Sequence, residues 1–204
     1  MASENAIMKL IFATNNQHKV DEIRSALPSH FEIISLKEAG IDIDIPEPHE
    51  TLQDNAAEKA RTIYELTHTS CFSEDTGLEV RSLNNEPGVR SARYAGEGKS
   101  FEKNTEKLLM KLKGAGDRRA RFRTVICLIL DGKELFFEGI CEGEVTIQPQ
   151  GGGGFGYDPV FKPNGADKTF GQMNMTEKNR FSHRKKAADM LVTFLNQLDT
   201  NKEY

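Results

Sequence analysis

No stretch of this 204-residue chain approaches the roughly eighteen consecutive apolar residues that a membrane-crossing helix needs, so a membrane span is not expected. The opening MASENAIMKLIF has no basic segment ahead of a long apolar core, and no secretory leader is expected there. Cysteine is scarce. Cys71, Cys127 and Cys141 are odd in number and none has a C-x-x-C partner, which argues against a zinc site and a disulfide framework and suits a reducing cytosol. Cys71 and Cys127 sit in apolar runs, where cysteine serves as a small hydrophobe. There is no basic excess either: 27 Lys and Arg face 31 Asp and Glu, a net charge of −4. A global field for gripping a nucleic-acid backbone is therefore lacking, although a local basic cluster can still hold a small anion. Repeats, low-complexity tails and the glycines of a Walker A loop are absent as well. These gaps leave a cytoplasmic protein without membrane or nucleic-acid partners as the expectation.

With 37% hydrophobic and 28% charged residues, the chain has the composition of a globular protein able to bury a core without covalent or metal staples. Its length fits one domain, or one domain with two lobes. Ile7 to Thr14 reads as a short buried strand running into the polar turn Asn15–His18 and a helix from about Lys19, with Val20, Ile23 and Leu27 in a stripe. A second helix is expected from Thr51, where Thr51 and Asp54 make a relative of the capping box and Leu52, Ala56, Ala60 and Ile63 share a face. Strands follow at Ser70–Ser73 and, after a turn, at Leu78–Ser82. A third helix from Ser100 carries Phe101, Thr105, Leu108 and Leu112 inward. Arg121–Leu130 is strongly β, Asp131-Gly132 reads as a hairpin turn, and Glu134–Ile140 and Glu142–Ile147 continue the sheet. The last helix spans Ser182–Leu198. Helices early and late with hairpins between them predict an α/β fold with a mixed sheet flanked by helices.

Five segments carry candidate chemistry. Thr14-Asn15-Asn16-Gln17-His18-Lys19 joins strand to helix, where unpaired N–H groups and a lysine suit a phosphate; a plain Asn cap is the competing account and, for this segment alone, the favoured one. In Ser73-Glu74-Asp75-Thr76-Gly77, placed at a strand end, adjacent carboxylates point to opposite sides, and one suits Mg²⁺ or water activation; a surface turn is the alternative. The acidic loop Ile45–Thr51 offers Glu47 or Glu50 as a further oxygen ligand, though acidic residues ahead of a helix are common for dipole reasons alone. Gly151–Pro159 combines glycines, which allow close backbone approach, with Phe155 and Tyr157, whose faces can stack a base. Lys178–Lys186 places cations around a helix N-terminus capped by Ser182, which the helix dipole disfavours unless an anion sits there; a solvated basic face is the alternative. Together they describe a nucleotide polyphosphate site with Mg²⁺.

The motifs ATNNQHKVDEI, SEDTGLEV, PGVRSARYAG, GGFGYDPVF and EKNRFSHRKKA, in that order from Lys9 to the final helix, resemble those of the inosine triphosphate pyrophosphatases, the dITP/XTP pyrophosphatases. The resemblance implies a single two-lobed domain over residues 1–204 with the active-site cleft between lobes, a homodimer, Mg²⁺ as cofactor, and hydrolysis of ITP, dITP and XTP to monophosphate and pyrophosphate. By motif it implies Thr14, Asn15, Asn16, Gln17, His18 and Lys19 as the phosphate-binding turn. Asp75 corresponds to the catalytic, metal-binding base, Glu47 to the second metal ligand and Thr76 to a substrate contact. Phe155, Gly156, Tyr157 and Asp158 correspond to the loop around the base, Phe155 stacking on it. Lys178 corresponds to a phosphate lysine, and His183 with Arg184 to the pair that reads the purine six-position oxygen. Many bacterial members carry Gly where Asn15 stands and Asp where Glu74 stands. A nucleotide sensor without catalysis, and a pyrophosphatase for modified or pyrimidine nucleotides, are the alternatives; the SHR motif and the retention of Asp75 argue against them.

Overall fold

The computed structural model describes residues 8–200; Ile7, the expected start of the first strand, and the Met1–Ala6 extension lie outside the described residues. The chain divides into two compact units. Unit 1 holds the residues up to Asp75, Val125–Glu138 and Lys186 onward; unit 2 holds Thr76–Thr124 and Gly139–Lys185.

Unit 1 starts with β1 (Met8–Phe12), α1 (Gln17–Ala26) and β2 (Phe31–Ser35), a parallel pair joined by a helix, with Met8 opposite Phe31 and Phe12 opposite Ser35. α1 is capped by Asn16, whose side chain accepts from the His18 and Lys19 N–H groups, and it stops at Leu27, the residue before Pro28. That cap places the helix start at Gln17 rather than Lys19. α2 (Leu52–Thr67) follows the Thr51 cap as expected and ends on His68 in the left-handed region. β3 (Cys71–Val80) pairs parallel with β1 through Ile11–Cys71 and Phe12–Phe72.

Alternation on the strands explains their almost continuous apolar runs: both sheet faces are covered. Leu10, Phe12, Ile126 and Leu128 pack with Val20 and Ile23 of α1 and with Leu191 and Leu195 of α5 (His183–Thr200). Their strand neighbours Ile11, Cys127 and Ile129 pack instead with Ala56, Ala60 and Ile63 of α2. Truncating one of the large buried side chains, such as Ile63 or Leu191, to Ala is expected to cost roughly 2–5 kcal/mol.

Unit 2 contains β4 (Pro87–Gly88), α3 (Phe101–Lys111), β7 (Phe161–Pro163), the short α4 (Met175–Asn179), and parts of β3, β5 (Arg119–Leu130) and β6 (Lys133–Val145). Its core gathers Leu78, Leu108, Phe122, Val145, Tyr157, Phe161 and Phe170. The strand order is β2-β1-β3-β5-β6-β7, with β4 on β3, and β6–β7 and β3–β4 run antiparallel. Parallel and antiparallel pairs share one sheet, the mixed α/β class the pattern predicted. The Asp131-Gly132 turn joins β5 and β6 with φ of +49° and +77° at its two residues, the left-handed pair a two-residue hairpin needs.

Several elements differ from expectation. Ser70–Ser73 and Leu78–Ser82 are not separate strands, because β3 runs unbroken through Ser73-Glu74-Asp75-Thr76-Gly77. The glycine that suggested a turn serves close approach: a Cβ at Gly77 would lie 2.6 Å from the Gly88 carbonyl oxygen of β4. β6 is one strand, continuous through Cys141, and Phe101, expected to point inward, is 40% exposed. β2, β4, β7 and α4 were not anticipated; all four are five residues or shorter, two of them carry a proline, and they give little periodic signal.

Candidate active site

In unit 1 the middle of β3, the N-terminal turn of α1, one face of α2 and the loop before it converge on Asp75. The Asp75 carboxylate is buried, 3.3 Å from Lys59 Nζ, and accepts a 3.4 Å hydrogen bond from the Asn55 amide. Lys59 Nζ also lies 2.5 Å from Glu47 Oε1, so two carboxylates from separate segments meet at one buried ammonium. Asn55 is one turn of α2 from Lys59 and fixes the acidic loop: its Oδ1 accepts from His49 N–H at 2.9 Å and its amide donates to the His49 carbonyl at 3.1 Å. On the neighbouring position of β3, Glu74 is wholly buried and pairs with Lys19 of α1 at 3.0 Å. The two carboxylates point apart as the extended backbone requires, and each has its own lysine.

Burial raises the pKa of Asp75 above the ordinary aspartate value, against the pull of Lys59 and Lys19, while Glu47 adds to the rise. For Lys59, burial opposes the charge but Asp75 and Glu47 outweigh it, and the ammonium is held more firmly than usual. Among these five groups, three carboxylates (Glu47, Glu74, Asp75) stand beside two ammonium groups (Lys19, Lys59), 2 − 3 = −1.

That surplus is the test of whether a metal ion fits. Among the described residues no group of three or more His, Cys, Asp or Glu side chains is arranged to hold one. Mg²⁺, however, is ordinarily held through one or two carboxylates plus water and substrate phosphates, and Glu47 and Asp75 supply hard oxygens directed at one cationic position. The donor chemistry and the charge therefore fit Mg²⁺.

The rest of the expected phosphate turn is engaged locally. Thr14 Oγ1 accepts from the Asn16 N–H at 3.2 Å, the Asn15 amide donates to the Ile43 carbonyl at 2.7 Å, and Gln17 donates to Asp21 at 2.7 Å. Asn16 is the helix cap, the account this segment alone favoured, and His18 is exposed.

In unit 2 a second group forms around the glycine loop. Asp158 Oδ2 accepts from Phe155 N–H at 2.9 Å and from the buried Lys178 ammonium at 2.6 Å, closing the loop on α4. Gly154, at φ +72°, is required there because a Cβ would overlap the Asp158 carboxylate. Lys178 Nζ stands 5.3 Å from the centre of the Phe155 ring and the Arg184 guanidinium 5.5 Å from it. Two cations therefore face one aromatic ring, an arrangement that also orients its plane. Tyr157, offered by the sequence as a second stacking face, is buried and donates its hydroxyl to the Ser91 carbonyl at 2.8 Å. His183 is buried and stacks on Phe122, centroids 4.6 Å apart and planes 12° apart. Arg184, only 2% exposed, donates to Thr76 Oγ1 at 3.3 Å. Ser182 caps α5, accepting from Lys185 N–H at 3.2 Å, so His183 and Arg184 open the helix as expected.

Asn55, Lys59, Thr124 and Phe122 were not foreseen. A signal existed for the first two: a lysine and an asparagine stand four apart inside the apolar stripe Leu52, Ala56, Ala60 and Ile63, where a cation is tolerated only with a partner. Thr124, a hydroxyl within the apolar run of β5, is a similar irregularity.

The model of the Ham1 family matches residues 10–194. A dITP/XTP pyrophosphatase of Christiangramia forsetii is 48% identical over 190 residues, covering 93% of this chain and 100% of that protein. One of Porphyromonas gingivalis is 50% identical over 188 residues, covering 92% and 97%. Among solved structures, the Ham1 protein of Staphylococcus aureus superimposes with a TM-score of 0.83 at 39% identity, covering 93% of this chain and 98% of that one. Sequence and fold agree along nearly the whole length, and the chain belongs to the Ham1 family.

Proposed function

We propose that this chain is a pyrophosphohydrolase of non-canonical purine nucleoside triphosphates, cleaving ITP, dITP and XTP to the monophosphate and pyrophosphate and so clearing deaminated purines from the nucleotide pool. The observation that carries this reading is the meeting of the Asp75 and Glu47 carboxylates at one buried ammonium, that of Lys59. Two carboxylates from separate segments converging on one cationic position suit a site completed by a metal and a polyphosphate.

Glu47 and Asp75 would hold Mg²⁺, whose charge offsets that of the triphosphate and polarises the phosphoryl oxygens. Ionised Asp75 accepts a proton from a water that adds to the α-phosphorus; the bond from that phosphorus to the α–β bridging oxygen breaks, and pyrophosphate leaves. Its raised pKa makes Asp75 a stronger base than an ordinary aspartate. Lys19 and Lys178 are the phosphate cations of this scheme. Phe155 stacks on the purine, and Thr76 hydrogen-bonds the substrate. Arg184 and His183 donate to the six-position oxygen, an acceptor in hypoxanthine and xanthine but an amino donor in adenine. Facing ATP, their N–H groups would meet another donor and remain unbonded, which is the physical basis of rejection. A homodimer in the cytoplasm completes the reading.

Pyrophosphate release from ITP, XTP, GTP and ATP, with Mg²⁺ and then with EDTA, tests it. Mg²⁺-dependent release from ITP and XTP with little from ATP is expected; binding of ITP without release would make the chain a sensor instead.

A further inference from the structure

We infer that Thr124 is a positioning residue for substrate binding: its hydroxyl fixes that of Thr76 and, through it, the Arg184 guanidinium. The inference rests on the proposed function, in which Thr76 and Arg184 touch the substrate.

Thr124 is wholly buried on β5, in the run Phe122-Arg123-Thr124-Val125-Ile126-Cys127, where an isosteric valine would pack without any polar atom. Its hydroxyl oxygen lies 2.6 Å from Thr76 Oγ1. The direction of that bond follows from proton bookkeeping. A guanidinium only donates, so Thr76 Oγ1 is an acceptor toward Arg184 Nη2 at 3.3 Å. The buried Thr124 hydrogen needs an acceptor, and Thr76 Oγ1 is the one its hydroxyl is set against. Thr76 Oγ1 therefore accepts from two sides, which fixes the position of that oxygen. The same bond holds Thr76 Oγ1 where Arg184 Nη2 meets it, beside the Phe155 ring.

The test is steady-state hydrolysis of ITP by Thr124→Val, Thr124→Ser, Thr76→Val and the Thr76→Val/Thr124→Val double variant, with thermal melting of each. Thr124→Val is expected to raise KM about tenfold, the worth of one ordinary hydrogen bond, with kcat nearly kept and the melting temperature close to wild type because the volume is unchanged. Thr124→Ser should restore wild-type KM. The double variant should be no worse than Thr76→Val, since Thr124 acts only through Thr76. Wild-type KM in Thr124→Val, or losses that add in the double variant, would overturn the inference while leaving the proposed function standing. Wild-type KM in Thr76→Val would remove Thr76 from the substrate site, and the inference would go with that assignment.

Discussion

Asp75→Asn changes one atom of a buried side chain and removes one charge, which makes its two consequences separable. The cluster goes from 2 − 3 = −1 to 2 − 2 = 0 as Glu47, Glu74, Lys19 and Lys59 remain. For stability the contributions oppose each other. The carboxylate no longer has to be desolvated, an effect worth several kcal/mol per buried ion, while Lys59 loses one partner but keeps Glu47 at 2.5 Å. Because burial outweighs the lysines at Asp75, folding stability should hold or rise, with the melting temperature moving by no more than about 2–4 °C for each kcal/mol of difference. For catalysis there is no compensation: the amide neither accepts the water proton nor contributes a charged oxygen to Mg²⁺. A loss of about 4 kcal/mol in transition-state stabilisation, roughly a thousandfold in kcat, is the minimum expected. The assays are coupled pyrophosphate release at saturating ITP and Mg²⁺, and differential scanning fluorimetry of the same preparations. An active, stable variant would refute the assignment of Asp75. A variant that melts far below wild type would refute the charge balance, since its inactivity would then be unfolding.

Lys59→Met leaves three carboxylates with Lys19 alone, 1 − 3 = −2, and should destabilise the fold by about 3–5 kcal/mol. Added Mg²⁺ should raise its melting temperature more than that of wild type; equal shifts would separate the metal from this cluster. Arg184→Ala should lose most of the preference for ITP over ATP, read as the ratio of kcat/KM, and an unchanged ratio would remove Arg184 from base selection. All three cysteines are buried, and burial pushes the Cys71 and Cys127 thiols up to about 12. At pH 8 these two are protonated, so the folded protein should not react with an aromatic disulfide reagent, whereas denatured protein should react at all three. Fast reaction in the native state would contradict their packing.

Much of this architecture could be read from residue patterns because the pattern and the cause coincide. The Asp131-Gly132 turn, the Thr51 cap of α2 and the Ser182 cap of α5 each depend on a local rule that no distant contact overrides. Asp75, Arg184 and Phe155 stand out in the sequence through motifs whose residue types have few structural uses together. What escaped depends on contacts distant in sequence. Gly77 looks like a turn until the Gly88 carbonyl is seen against it, and Tyr157 looks like a stacking face until its hydroxyl is found on Ser91. Lys59 escaped because helix periodicity ranks residues by hydrophobicity, and a lysine inside an apolar stripe counts as noise unless its carboxylate partners, 12 and 16 residues away, are already known.

The central claim is that water attacks the α-phosphorus at Asp75, and the most direct measurement is hydrolysis of ITP in ¹⁸O-labelled water with mass analysis of both products. The account predicts the label in the nucleoside monophosphate and unlabelled pyrophosphate. Label in pyrophosphate would place the attack on the β-phosphorus, and labelled orthophosphate would place it on the γ-phosphorus; either result would contradict it.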